Sequence, residues 1–171
     1  MHQMRAVTLS GYIEVAHAVG LDGARMLRQA GIAQESLDDP ENRLPAGAVV
    51  RLLDRSAEES GCENFGLLMA ERRTFASLGP VSLLLERLPN LRAVVRTSIV
   101  FQRHLNDVVS ISLEDDGDTC LIKLDLWPEY WGAQMIDLLV GIAYQVLSGA
   151  SGRRWKPDCV HTIRKAPEDL S

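Results

Sequence analysis

The side chains best suited to chemistry are Trp127, Tyr130 and Trp131, in the run Trp-Pro-Glu-Tyr-Trp at positions 127–131. That run holds two of the chain's three tryptophans. It stands between a segment of alternating hydrophobicity and a long apolar one. Aromatic walls with a few polar groups bind small organic molecules, and sheet-to-helix junctions are common places for them. The same residues also suit a hydrophobic staple, with Tyr130 or Trp131 packing on the next helical turn. Just downstream, Gln134, Asp137, Tyr144 and Ser148 share one stripe of an otherwise apolar helix, with Gly141 between them. A carboxylate there must be exposed, paired or ligand-facing, because an unpaired buried charge is costly. In one reading the stripe is a solvent-exposed edge. In the other, Gln134 or Asp137 accepts a hydrogen bond from a bound molecule. Phe101 and His104, one turn apart, form a third candidate group facing a pocket closed by the segment that follows. The preference of cations for a helix C-terminus explains Arg103 and His104 without a ligand.

Other chemistries find little support. His2, His17, His104 and His161 are scattered, and Cys159 with His161 offers only two of the ligands a metal needs. No GxSxG elbow, P-loop, GxGxxG or HExxH motif occurs. The chain is therefore expected to be no enzyme and to carry no metal or cofactor. With 171 residues it is sized for one domain. A net charge of −5 and a pI near 5.4 argue against a nucleic-acid surface within this chain, where clustered Lys and Arg would be needed. Adjacent basic pairs such as Arg72-Arg73 and Arg153-Arg154 are few and far apart. Three cysteines without CxxC spacing favour reduced thiols and a cytoplasmic setting. No signal peptide or membrane span is expected.

The elements that must position these residues are punctuated by Gly, Pro and Asp. Residues 9–19 carry apolar residues at helical spacing and end at Gly20. Asp22 caps a second helix that Gly31 stops. Pro45 opens a third, with Val49, Leu52, Leu53 and Ala57 on one face and Gly61 at its end. A short helix spans 65–70, a loop or single turn 72–78, and a Pro80-initiated helix 81–87. From Asn90, the positions Leu91, Val94, Val95, Ser98, Phe101 or Gln102, and Leu105 give a helix with one buried face. The period then changes to two. Val109, Ile111 and Leu113 answer Ile122, Leu124 and Leu126 across an acidic turn containing Gly117, which is a β-hairpin. Residues 132–149 form a helix apolar nearly all round, hence buried. Residues 159–164 read as a further strand. The class is α+β: mostly helical, with N-terminal helices, a central β-hairpin, a long buried helix and the further strand completing a small sheet.

This order of punctuation resembles the N-terminal effector-binding domain, of the "arabinose-binding" type, of AraC-type transcriptional regulators. The resemblance rests on Leu27-Arg28-Gln29-Ala30-Gly31, Arg43-Leu44-Pro45, Phe65-Gly66-Leu67 and Leu78-Gly79-Pro80. Leu88-Pro89-Asn90, Leu91-Arg92, the hairpin, the apolar helix and Trp155-Lys156-Pro157 through His161 complete it. It implies one effector-binding and dimerisation domain over 1–171, part of a longer regulator whose C-terminal helix-turn-helix domain contacts DNA. The implied partners are a small-molecule effector and a second copy of the chain, with no membrane. The alternative is a ligand-free protein–protein interaction domain that dimerises through apolar helical faces.

Overall fold

The computed structural model of the chain describes residues 2–105, 107–115 and 117–164, with His104 and Leu105 by their backbone alone. Strand β1 (Gln3–Arg5) leads through a 3₁₀ turn at Ala6–Leu9 into α1 (Tyr12–Ala18). The single helix expected over 9–19 is thus shorter, because Gly11 takes φ +75° and breaks the backbone before Tyr12. Asp22 accepts the Arg25 backbone N–H at 3.0 Å and caps α2 (Gly23–Ala30), which ends at Gly31 with φ +74°. Both ends follow the sequence reading. Strand β2 (Arg43–Pro45) then pairs antiparallel with β1, placing Met4 opposite Leu44. Neither three-residue strand shows an alternation long enough to read, so this small sheet was not anticipated.

Helix α3 (Ala46–Ser60) buries Val49, Leu52, Leu53 and Ala57, as its spacing requires. After α4 (Phe65–Glu71) comes a 3₁₀ turn at Phe75–Leu78, then α5 (Pro80–Leu85) and α6 (Leu91–Leu105). Strands β3 (Val109–Asp115) and β4 (Cys120–Leu126) form the expected hairpin, pairing Val109 with Leu126, Ile111 with Leu124 and Leu113 with Ile122. Its apolar residues therefore share one face. Helix α7 (Ala133–Ala150) closes the fold.

Two apolar clusters result. The first gathers Met4, Tyr12, Leu27, Leu44, Leu53, Phe65 and Met69 around Met135 and Leu138 of α7. The second gathers Leu85, Val94 and Val95 around Leu147 of the same helix, with Phe75, Leu113 and Ile122 against them. Helix α7 is thus shared, one end in each cluster. That accounts for its apolar character on nearly every side. Its length and hydropathy would also suit a bilayer. It packs against α3, α4 and α6, but 33% of it is buried, so the helix expected to be buried on most sides is so only in part.

The α+β class is as read, with a further difference in its parts. Residues 159–164 form no strand, and the two described sheets have two strands each. Val160 and Ile163 are exposed, at 55% and 71%. A period of two shows only that a segment can be extended. A strand also needs a neighbouring edge to supply hydrogen bonds, and among the described residues these pair with no strand.

Candidate functional site

Between the two apolar clusters lies a cavity of about 150 Å³, partly open to solvent. Helix α6 lines it with Val95, Ser98 and Gln102, the hairpin with Val109, Ile111, Ile122 and Leu124. Helix α7 contributes Leu138, Leu139, Ile142, Ala143, Val146 and Leu147. The spacings of three, four and seven on both helices place these side chains on single faces. Two of the polar groups are already engaged. Gln102 Oε1 accepts the Ile111 backbone N–H at 2.8 Å, tying α6 to the hairpin. The Ser98 hydroxyl donates to the Val94 carbonyl at 2.9 Å.

The remaining wall carries two buried arginines, Arg5 and Arg73, at 4% and 8% exposure, beside Val7, Thr8, Ser77 and Leu78. Their positions differ electrically. Arg5 is forked onto the exposed carboxylate of Glu41, its Nε donating to Oε2 at 3.0 Å and its Nη2 to Oε1. Gly79 lets this pair lie against the backbone, since a Cβ there would stand 3.1 Å from Arg5 Nη2. Arg73 has no carboxylate among the described residues. Its Nη1 donates to the Val7 carbonyl, and its buried Nε has no hydrogen-bond partner. Burial, then the nearby Arg5 guanidinium, push the Arg73 pKa down to about 10. It remains a cation at neutral pH, held where its charge is unmatched. Charges so placed collect at functional sites.

The residues singled out in the sequence lie elsewhere. Trp127 is half exposed and stacks on His2 with ring centroids 5.2 Å apart. Tyr130 meets the same histidine edge-on and holds its Nδ1 at 3.2 Å from the phenol oxygen. Trp131 is also half exposed, and its Nε1 donates to the Leu126 carbonyl at 2.7 Å, tying the hairpin's end to the entry of α7. Phe101 is partly buried, on α6 beside the cavity-lining Gln102. The expectation for the His104 side chain falls outside the described residues.

The polar stripe of α7 is not an exposed edge over its first half. Gln134 and Asp137 are buried against α4. Gln134 Oε1 accepts the Gly66 N–H at 2.8 Å, and its Nε2 donates to the Glu63 carbonyl at 2.9 Å. Asp137 Oδ2 lies 2.9 Å from Arg164 Nη1, within ion-pair range but off the line of a hydrogen bond. Burial raises the Asp137 pKa, and Arg164 pulls it back. Gly141 continues the stripe, where a Cβ would meet the Ala70 Cβ at 2.3 Å. The stripe marks a close crossing of two helices. Sequence reasoning noticed Arg73 only as half of a basic pair, and nothing local says that it turns inward.

The sequence matches the arabinose-binding domain of AraC transcription regulators, N-terminal, over residues 20–171. It is also similar to the HTH-type transcriptional regulator VirS of Mycobacterium tuberculosis, from both the CDC 1551 / Oshkosh and the ATCC 25618 / H37Rv strains. In each case 31% of 81 residues are identical, and that stretch is 47% of this chain. The chain spans about a quarter of the length of these relatives, 24%. With the matched residues running from α2 through the hairpin and α7, the chain belongs to the family of N-terminal arabinose-binding domains of AraC-type transcription regulators.

Proposed function

We propose that this domain is the sensing half of a cytoplasmic regulator and binds a small-molecule effector in the cavity between its two apolar clusters. The observation that carries the reading is the position of that cavity. It is walled by α6, the hairpin and α7 together, and an unmatched arginine is buried in its wall. An occupant touches elements of both clusters at once, so its binding energy bears on how they sit together. It alters the output of a DNA-binding segment elsewhere in the regulator only through a difference in affinity between two conformations. The role is regulatory rather than catalytic. The lining is dominated by aliphatic side chains, which does not suit a polyol such as arabinose, whose hydroxyls each need a partner.

The test is a thermal-shift screen of the chain against acids, amines, sugars, amino acids and neutral apolar compounds. An effector at about 100 times its dissociation constant adds roughly 2.7 kcal/mol, or about 5–10 °C at this length. Val146→Phe, which fills the cavity, is expected to abolish the shift. If no compound protects the wild-type chain, the sensing reading fails. A melting temperature that rises with protein concentration instead would favour a ligand-free dimerisation domain. Exposed Leu83 and Val100, at 66% and 74%, support that second reading. Homodimerisation through these residues is compatible with both.

A further inference from the structure

We infer that the effector is a small monocarboxylate with an apolar body of about six carbon atoms, its carboxylate paired to Arg73 and its body lying against α7. The inference rests on the sensing reading and adds the chemical class. Charge comes first. Among the described residues, none of those lining the cavity is acidic. Arg5 is neutralised by Glu41. Arg73 is not, which leaves one net positive charge in the wall. A guanidinium carries five N–H donors, and the Arg73 side chain makes one hydrogen bond with the described residues, to Val7. Its Nε is buried and unpartnered. Leaving a buried donor unmet is costly, more so for a charged group. Because Nε is enclosed, what a ligand in the cavity meets is the Nη edge, where Nη2 is not enclosed and makes no hydrogen bond with the described residues. A planar carboxylate of single negative charge is the matching group.

The rest of the ligand follows from what the wall lacks. No acidic side chain is present to hold an ammonium, so a zwitterionic amino acid would bury an unmatched cation. A phosphate dianion would bring two charges to one free guanidinium. The body faces Leu139, Ile142 and Val146 of α7 with Ile111 and Leu124 of the hairpin, all aliphatic. The cavity's 150 Å³ is the size that admits a benzene ring. Straight-chain C6 acids and simple aromatic acids fit this description; long-chain fatty acids exceed it.

The probes are hexanoate and benzoate, their neutral amides, and hexylamine, titrated calorimetrically into the 171-residue chain. The acids are expected to bind, and the amides and amine to bind far more weakly or not at all. Arg73→Met is expected to lower affinity for the acids on the order of 100-fold. Arg73→Lys keeps the charge but loses the fork, so it is expected to bind less tightly than wild type while still preferring acid to amide. It also carries the test if Arg73→Met does not fold. Amides binding as well as acids, or either Arg73 variant binding the acids as wild type does, would overturn the inference. So would failure of both acids to bind. In each of those cases the sensing reading is judged separately. It stands if a neutral or cationic compound protects wild type but not Val146→Phe.

Discussion

The backbone N–H of Gly66 donates to the side chain of Gln134 at 2.8 Å, and a Cβ on Gly66 would lie 2.1 Å from the Gln134 carbonyl oxygen. Helices α4 and α7 therefore cross with no room for a methyl group. The carbonyl is backbone and cannot swing aside. Gly66→Ala is expected to cost about 2–3 kcal/mol by overpacking, lowering the melting temperature by roughly 4–12 °C. Gly149, near the other end of α7, makes the contrast. A Cβ there would meet Phe75 at an ordinary 3.5 Å. Gly149→Ala is expected to be neutral or to stabilise by up to about 1 kcal/mol, through helix propensity. Equal losses for the two variants would mean that the crossing is looser than described.

The ion pair of Asp137 with Arg164 gives a pH dependence of known sign. Burial holds the Asp137 carboxyl above the usual carboxylate range, although Arg164 lowers it. The native state then keeps its proton to higher pH than the unfolded chain does. The stability contributed by this group therefore falls as pH rises from about 3.9 through the raised value, and is flat above it. Arg164→Ala removes the counter-charge, so its loss is expected at neutral pH, on the order of 3 kcal/mol. The loss should shrink once Asp137 is protonated. Urea unfolding of both proteins between about pH 4 and 8 measures this. A loss independent of pH would assign the role of Arg164 to its other bond, the one to the Glu63 carbonyl.

Ala143 lines the cavity from α7. Ala143→Leu places three further carbons in that space. The effector-free domain is expected to gain about 0.5–2 kcal/mol, as cavity-filling substitutions commonly do. It should also lose most of the thermal protection that any effector gives. Gain without loss of protection would place the effector outside the cavity.

Trp127 stacks on His2 at the surface and does not line the cavity. Trp127→Ala is expected to cost no more than about 1 kcal/mol, the scale of an exposed aromatic pair. Effector affinity should be unchanged within about twofold, since 1.4 kcal/mol is the tenfold step. A tenfold fall measured by calorimetry would return the 127–131 run to the binding site.

The parts of this fold that were legible are those decided within a turn or two of chain. Asp22 and Gly31 bound α2, Gly61 ends α3, Pro80 starts α5, and Gly117 at φ +100° turns the hairpin. Each acts through local geometry, so residue type and spacing suffice. Pairing of β1 with β2 brings together residues some forty positions apart over three residues each, which no period reveals. The extended reading of 159–164 failed for the converse reason, since an edge partner is a tertiary fact. The aromatic run at 127–131 has the composition of a binding site; Trp131 ties the hairpin's end to the entry of α7, and the run does not line the cavity. The cavity is built largely from Leu, Ile and Val that look like core, and its unmatched charge is an arginine that looks like surface. In both cases the chemistry is set by what lies opposite in space.

The seam between the two clusters has a mechanical consequence. Where most cores close on themselves, this one is left short of filling by roughly the volume of one aromatic side chain. An effector bound there, as proposed, would act as a detachable core residue, supplied from solution rather than from the chain. Voids are what hydrostatic pressure acts on, because unfolding eliminates them. On that proposal the domain yields most readily where α6 and the hairpin face α7, and filling that space would stiffen the joint between the two clusters.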